Sequence, residues 1–253
     1  MPDKQQQEPR TAFITAGTKG IGLAIARAFA REGYNLVLTS RSPKQDEMFT
    51  QGDFKSRKVL LLSLELQNEK NIAGAFQTAA ESLGSVDVLV NNAGVILRKP
   101  IIDVSWNEWD EVMDTNLKGA YFLSAHFARY CLEQNHPGAI VNIASTHGIT
   151  ALAERSVYGI SKGAMIQMTR TMAIEWAERN IRVNAVAPAT VMTGSRQAVF
   201  DDPKSREKML SRIPNRKFVT EDEVAAAACY LASDEADSVT GHTLVLDGGL
   251  LSA

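Results

Sequence analysis

Apolar and polar positions follow two alternating rhythms along this chain. Short apolar runs are followed by longer stretches in which apolar residues return every three or four positions. The runs at 11–15, 35–39, 59–64, 86–90, 138–143, 181–186 and 244–246 read as buried strands. Ile21, Ala24, Ile25, Ala28 and Phe29 carry the helical spacing after the first run, and Gly33 closes that helix as a C′ glycine. Further helices are predicted over 69–83, 109–134, 156–179 and 220–231. The third of these five begins irregularly, and the last is capped by Thr220 with Glu223 three residues on. Strands alternating with helices over the whole length predict an α/β fold with one doubly wound parallel sheet and no internal linker or repeat. The polar, glutamine-rich residues 1–10 read as a flexible tail ahead of a single domain at 11–253. Residues 190–218 break the alternation, with weak periodicity and two prolines, Pro203 and Pro214. An excursion of that length predicts a functional lid over a site.

Composition narrows the class. The chain has 253 residues, 45% hydrophobic and 22% charged, which is enough for a full core. Its net charge of −2 and pI of about 6.1 give no footprint for nucleic acid or an anionic membrane surface. The start lacks an apolar signal-peptide region, and no apolar run approaches a membrane span, so a cytoplasmic protein is expected. Cys131 and Cys229 sit in apolar, helix-like contexts and read as free thiols in a reducing compartment. The four histidines show no metal-ligand spacing, so no metal is expected.

The first strand runs into Thr15-Ala16-Gly17-Thr18-Lys19-Gly20-Ile21-Gly22, and a helix follows. Strand, glycine-rich turn, helix and strand make a βαβ unit. A pyrophosphate must approach the backbone closely and sit at a helix N-terminus, where free N–H groups and the helix dipole favour anions. Glycines permit that approach, and the strand-before, helix-after context predicts dinucleotide binding.

Tyr158 and Lys162 are four residues apart on a predicted helix, one turn apart on one face. A phenol ordinarily titrates near pKa ~10, and a nearby ammonium lowers that value by stabilising the phenolate. Such a pair can hand a proton to a carbonyl oxygen and take it back in the reverse reaction.

Several motifs appear in one order. The glycine turn reads TGxxxGxG with Ala16 at its first glycine. Asn91-Asn92-Ala93-Gly94 follows the fourth strand, Asn116 lies in Asp114-Thr115-Asn116-Leu117, and Ser145 precedes Tyr158 by thirteen residues. Pro188 to Thr193 reads as a PGxxxT segment with Ala189 for its glycine, and Asp247-Gly248-Gly249 comes near the end. With these motifs, from about residue 11 to the C-terminus, the chain resembles the classical short-chain dehydrogenase/reductase family, whose fold is Rossmann-like.

The resemblance implies a tetrad. Tyr158 is the general acid or base, and Lys162 lowers its pKa and bonds the nicotinamide ribose. Ser145 bonds the substrate carbonyl or hydroxyl, and Asn116 holds a water in a relay from Lys162 to solvent. It also implies that the cofactor lies along Gly17, Thr18, Lys19, Gly20, Ile21 and Gly22, with Asn92, Ala93 and Gly94 on the adenosine side. Pro188, Val191 and Thr193 would meet the carboxamide side, and Glu65 stands where the family often has an aspartate near the adenine. Ala16 adds a methyl to the turn, and the adjacent Gly17 is expected to absorb the unusual backbone angle. Family members pair the helices carrying Asn116 and Tyr158 into dimers and tetramers, so a homodimer or homotetramer is implied. Met165, Met168, Met172 and Trp176 form a stripe on the second of these, and plain core explains much of it.

An NAD-preferring site needs a carboxylate at the end of the second strand for the ribose 2′-hydroxyl. Here that strand ends Thr39-Ser40-Arg41-Ser42. Arg41 with Ser40 or Ser42, helped by Lys19, suits a 2′-phosphate, so NADP(H) is expected over NAD(H). The substrate is a small carbonyl or alcohol. The stretch Asn92 to Arg98 resembles members acting on sugar acids, and Arg98 and Arg155 are candidates for a substrate carboxylate, or are surface arginines. His147 reads as a wall of the pocket, while Val191, Met192, Val199 and Phe200 suit either polar or apolar substrates. A 3-oxoacyl-[acyl-carrier-protein] reductase or a general ketone reductase carries the same motifs. A non-catalytic NADP-binding redox sensor has no need of the intact tetrad, and an epimerase or dehydratase fits the glycine spacing poorly.

Overall fold

The computed structural model describes residues 9–44, 46–194 and 201–253. The first eight residues of the expected tail, and Val199 and Phe200, lie outside the described residues. In chain order the strands are β1 (Thr11–Ile14), β2 (Asn35–Ser40), β3 (Val59–Ser63), β4 (Val88–Asn91), β5 (Gly138–Ile143), β6 (Ile181–Pro188), β7 (Val191–Met192), β8 (Val219–Thr220) and β9 (Thr243–Leu246). The helices are α1 (Gly20–Arg31), α2 (Glu69–Leu83), α3 (Trp106–Met113), α4 (Gly119–Gln134), α5 (Ser156–Trp176), α6 (Pro203–Leu210) and α7 (Glu221–Ala232).

Seven strands form one sheet in the order β3-β2-β1-β4-β5-β6-β9, every pairing parallel. The order reverses between β1 and β4, and a doubly wound sheet opens its ligand crevice there, beyond the carboxyl ends of the strands. Alternate residues serve opposite faces because the strand period is two. Ala12, Ile14, Leu36 and Leu38 pack with α1 and α7, through Ile25, Phe29, Val224 and Leu231. Phe13, Val37, Leu89 and Ile140 pack on the other face with Phe76, Phe127 and Met165 from α2, α4 and α5. Phe76 ties that layer together, its ring centroid 6.2 Å from Phe13 and 6.4 Å from Phe127. Truncating such a buried ring to alanine typically costs about 3–5 kcal/mol. Met165, Met168 and Met172 are buried here, so the methionine stripe is core.

Three expectations are corrected. Arg10 is not free tail: its carbonyl accepts from Asn35 N at 2.8 Å, its guanidinium pairs with Asp234 at 3.2 Å and lies over the Tyr34 ring. The long helix starts at Trp106, not 109, because Ser105 and Glu108 close a capping box there. Its irregularity is a π turn, Asp114–Lys118, between α3 and α4. The 190–218 excursion contains a helix, α6, started by the Asp202 cap with Pro203 at its first turn. Its ends are stapled by β7 pairing with β8, and Leu210, Ile213 and Phe218 give it a small core of its own.

Candidate active site

The crevice begins where β1 ends. Thr15 N donates to Val90 O at 3.0 Å, and Thr15 Oγ1 accepts from both Asn92 N and Ala93 N at 2.9 Å. Asn92 Nδ2 returns the bond, donating to Thr15 O at 2.9 Å and to Ala16 O at 3.3 Å. The glycine turn is thus sewn to the segment after β4. A Cβ on Gly22 would collide with Ala16 O and lie 2.6 Å from Asn92 Nδ2, so only glycine fits. Ala16 itself takes the left-handed conformation, with φ of 51°, and Gly17 does not; the expectation that Gly17 absorbs the angle is corrected. Gly17 sits in tight space instead, since its Cβ would stand 3.0 Å from Ile14 O and 2.9 Å from Leu38 Cδ2. Lys19 caps α1 without a side-chain bond, and the first turn holds no acidic residue. The amides of that turn therefore face the crevice as an anion site, which fits a dinucleotide pyrophosphate.

The second half of the site is delivered by β5 and α5. Ser145 follows β5 and caps a short 3-10 turn, Thr146–Gly148, accepting from His147 N at 3.2 Å. That turn lies directly on α5: a Cβ on Gly148 would stand 2.6 Å from Lys162 C, and one on Gly159 would stand 3.0 Å from His147 O. The close crossing brings three side chains together. His147 Nδ1 lies 3.5 Å from Ser145 Oγ, and its ring meets Tyr158 edge-on with centroids 5.9 Å apart. Lys162 Nζ stands 6.0 Å from the centre of the Tyr158 ring.

Lys162 is buried, and Nζ donates to Ile143 O at 2.7 Å. Burial brings its ammonium down to about 8, because desolvation penalises the charged form. Gly94 leaves the space above it open, since a Cβ there would lie 3.6 Å from Nζ and 3.3 Å from Asn116 Oδ1. Asn116 sits in the π turn with its amide fully engaged: Oδ1 accepts from Val95 N at 2.7 Å, and Nδ2 donates to Val95 O at 2.9 Å and Ser161 Oγ at 3.1 Å. Ser161 Oγ in turn donates to Tyr158 O at 2.8 Å. The expected four residues are therefore one linked cluster. A phenol, a buried amine and a serine hydroxyl so placed can exchange a proton with a carbonyl oxygen.

The other expected residues divide. Ser40 ends β2 half-buried, followed by the exposed Arg41, whose carbonyl accepts from Ser63 Oγ at 3.1 Å. The Arg41 guanidinium meets no acceptor among the described residues, and Lys19 is exposed as well. Glu65 is exposed beyond β3. Pro188 and Val191 are buried at the end of β6 and in β7, while Thr18, Ile21, Ala93 and Thr193 are half-buried. Arg98 is exposed and Arg155 half-buried on neighbouring loops, which Lys99 N joins by donating to Glu154 O at 3.1 Å. No hydrogen bond joins Arg98 to Ser145 or Tyr158 among the described residues.

A second layer was not read from the sequence. Asn91 Nδ2 donates to Ser124 Oγ at 2.9 Å and Asn142 Oδ1 at 2.8 Å, and Asn142 Nδ2 donates to Thr169 Oγ1 at 2.8 Å. This buried chain ties α4, β4, β5 and α5 beneath the cluster. Its available signal is an asparagine inside each of two otherwise apolar strands, VLVN and GAIVNI.

Comparison with known proteins agrees with this geometry. A sequence model described as enoyl-(acyl carrier protein) reductase matches residues 15–251. The 3beta-hydroxysteroid dehydrogenase 1 of Eggerthella lenta is 36% identical over 243 residues, covering 95% of this chain and 93% of that one. The 2-dehydro-3-deoxy-D-gluconate 5-dehydrogenase of Dickeya dadantii is 34% identical, covering 96% of both. A gluconate 5-dehydrogenase from Burkholderia cenocepacia, solved with NADP and tartrate, superposes with a TM-score of 0.90 at 30% identity, covering 98% of this chain and 97% of that one. With its parallel seven-stranded sheet, its glycine turn and relatives matching along nearly its whole length, the chain belongs to the classical short-chain dehydrogenase/reductase family and is an NAD(P)-dependent oxidoreductase.

Proposed function

We propose that the protein uses NADP(H) to interconvert a secondary alcohol and a ketone on a small molecule, with Tyr158 as the proton donor and acceptor. The observation that carries this is the convergence of Ser145 and Tyr158 around His147, over the buried Lys162. The cofactor, when bound, supplies and accepts the hydride at its nicotinamide C4. Everything else falls to the chain. Ser145 Oγ orients the carbonyl oxygen, Tyr158 passes its phenolic proton to that oxygen, and Lys162 stabilises the phenolate left behind. Asn116 keeps the helix carrying Tyr158 in place through Ser161, because its own amide is already bonded. The π turn around it leaves a helix carbonyl outside the ordinary ladder, the group from which a water relay toward Lys162 would hang. His147 serves as the wall between Ser145 and Tyr158.

NADP(H) is favoured over NAD(H) by the end of β2, which offers Arg41 and no carboxylate. Among substrates we favour a sugar acid or polyol, supported by the relatives that act on such compounds and by Arg98 and Arg155 on adjacent loops. A second reading, an apolar ketone or acyl substrate, is favoured by Ile149 and Leu152 on the loop after Ser145, 49% and 38% exposed. We further propose a cytoplasmic homodimer or homotetramer. Ile174 on α5 is 81% exposed, and Tyr121 and Phe122 on α4 are about half exposed, consistent with a helix face that another copy covers. The test is nicotinamide absorbance during turnover, with both cofactors, against sugar acids, 3-oxoacyl thioesters, hydroxysteroids and simple diketones. Turnover confined to sugar acids with NADP(H) supports the favoured reading; tight NADPH binding without turnover on any class sinks it.

A further inference from the structure

Glu221 opens α7 directly after its Thr220 cap. Across from it stands the start of α1. One Glu221 carboxylate oxygen lies 3.7 Å from the point where a Cβ on Gly20 would sit, and Gly20 itself has φ of +55°. The two helix starts face each other over an open cleft of about 290 Å³, lined also by Leu23, Ala24, Arg27, Met192 and Asp222. Glu221 Oε1 is buried and has no hydrogen-bond partner among the described residues. Buried polar atoms are nearly always bonded, so this one needs a reason. Capping does not supply it, because Thr220 and Glu223 already complete the α7 box. Burial raises the Glu221 carboxyl above the usual range, Asp222 raises it further, and Arg27 opposes both.

We propose that Glu221 tunes cofactor affinity, standing as an anion beside the pyrophosphate site at the α1 turn and taking up a proton from solvent when the cofactor binds. This rests on the assignment of that turn to the pyrophosphate. A carboxylate next to a bound dianion is disfavoured, whereas the neutral acid is not and can donate a hydrogen bond. The step is a simple protonation of the carboxylate. Its charged neighbours in the cleft are Arg27 from α1 and Asp222 from its own helix. The sign follows: affinity rises as pH falls through the Glu221 titration. Glutamine, which mimics the neutral acid, gives tight binding throughout.

The experiment is titration of NADPH by fluorescence into the wild type, Glu221→Gln and Asp222→Asn across about pH 5 to 8.5, from just above the ordinary carboxyl range upward. Glu221→Gln is expected to bind roughly three- to tenfold tighter at the upper end, with the gap narrowing toward the lower end. Asp222→Asn is expected to gain less. The cofactor's own 2′-phosphate titrates near pKa ~6, so the difference between proteins is the signal, and NADH repeats it without that group. Calorimetry on the unaltered protein in two buffers of different ionisation enthalpy reads the proton uptake directly. Equal pH profiles in wild type and Glu221→Gln, an equal gain from Asp222→Asn, or binding without proton uptake overturns the proposal. Failure of all three proteins to bind NADPH overturns the pyrophosphate assignment and this inference with it.

Discussion

The backbone of Gly148 rests on the backbone of Gly163: a Cβ on Gly148 would stand 2.7 Å from Gly163 N, nearer than real Cβ contacts come. This bare crossing carries Ser145 to Tyr158, since Ser145 caps the same turn. Gly148→Ala must lift the turn off α5. We expect a loss of about 1–3 kcal/mol in stability from overpacking and a fall in kcat of about 100-fold from misplacement. NADPH affinity stays near wild type, because the α1 turn is built separately. Melting curves, kcat and a cofactor titration separate these effects, and an unchanged kcat contradicts the crossing's role.

Tyr158→Phe removes the proposed proton donor and keeps the ring that packs against His147. NADPH binding persists, and kcat falls by about 10²–10⁴ or more. Single-turnover kinetics check it; a near-normal rate refutes the assigned role.

Lys162 works against the fold it serves. Its folded pKa of about 8 lies below the ordinary 10.5, so folding favours the neutral amine. The destabilisation is fully present below pH ~8 and fades as pH rises toward ~10.5, at which point the unfolded chain also loses the proton. Lys162→Met therefore stabilises the cofactor-free protein at pH ~7 by up to about 3 kcal/mol, less what Ile143 O loses as an unpaired acceptor. The gain shrinks between pH ~8 and ~10, and turnover is lost. Urea denaturation at the two ends of that range checks the sign; destabilisation that is equal at both ends contradicts it.

Arg41→Asp places a carboxylate at the end of β2, where a ribose 2′-hydroxyl would be held. The ratio of kcat/KM for NADPH over NADH should fall by roughly 10- to 100-fold, from loss of a charge-assisted bond and gain of a like-charge clash. An unchanged ratio shows that Arg41 does not read the phosphate.

Ala16→Gly relieves a residue held at φ of 51°. An alanine there costs about 1–2 kcal/mol, and glycine's extra unfolded freedom returns about 0.5–1 of that. The variant should unfold at a slightly higher temperature, with NADPH binding equal or tighter. A lower melting temperature means the methyl packs usefully against the turn.

The sequence by itself determined whatever depends on neighbours along the chain. The strand–helix alternation, the Gly20-Ile21-Gly22 start of α1, the Thr220–Glu223 cap and the Tyr158–Lys162 pair are all set by periods and spacings shorter than one element. Ser145 and Asn116 were legible through the family's motif order. What the tertiary structure decided depends on residues far apart. Gly148 is an ordinary glycine until α5 passes beneath it, and Asn142 is an oddity in a strand until Asn91 and Thr169 arrive from other elements. Glu221 is a first-turn acid like any other until α1 faces it. Helix α6 is held by Leu210, Ile213 and Phe218 closing on each other, a contact that weak periodicity in 203–210 does not announce. Local pattern reports backbone preference, whereas burial, close approach and an unpaired oxygen are properties of pairs, and only the folded chain brings those pairs together.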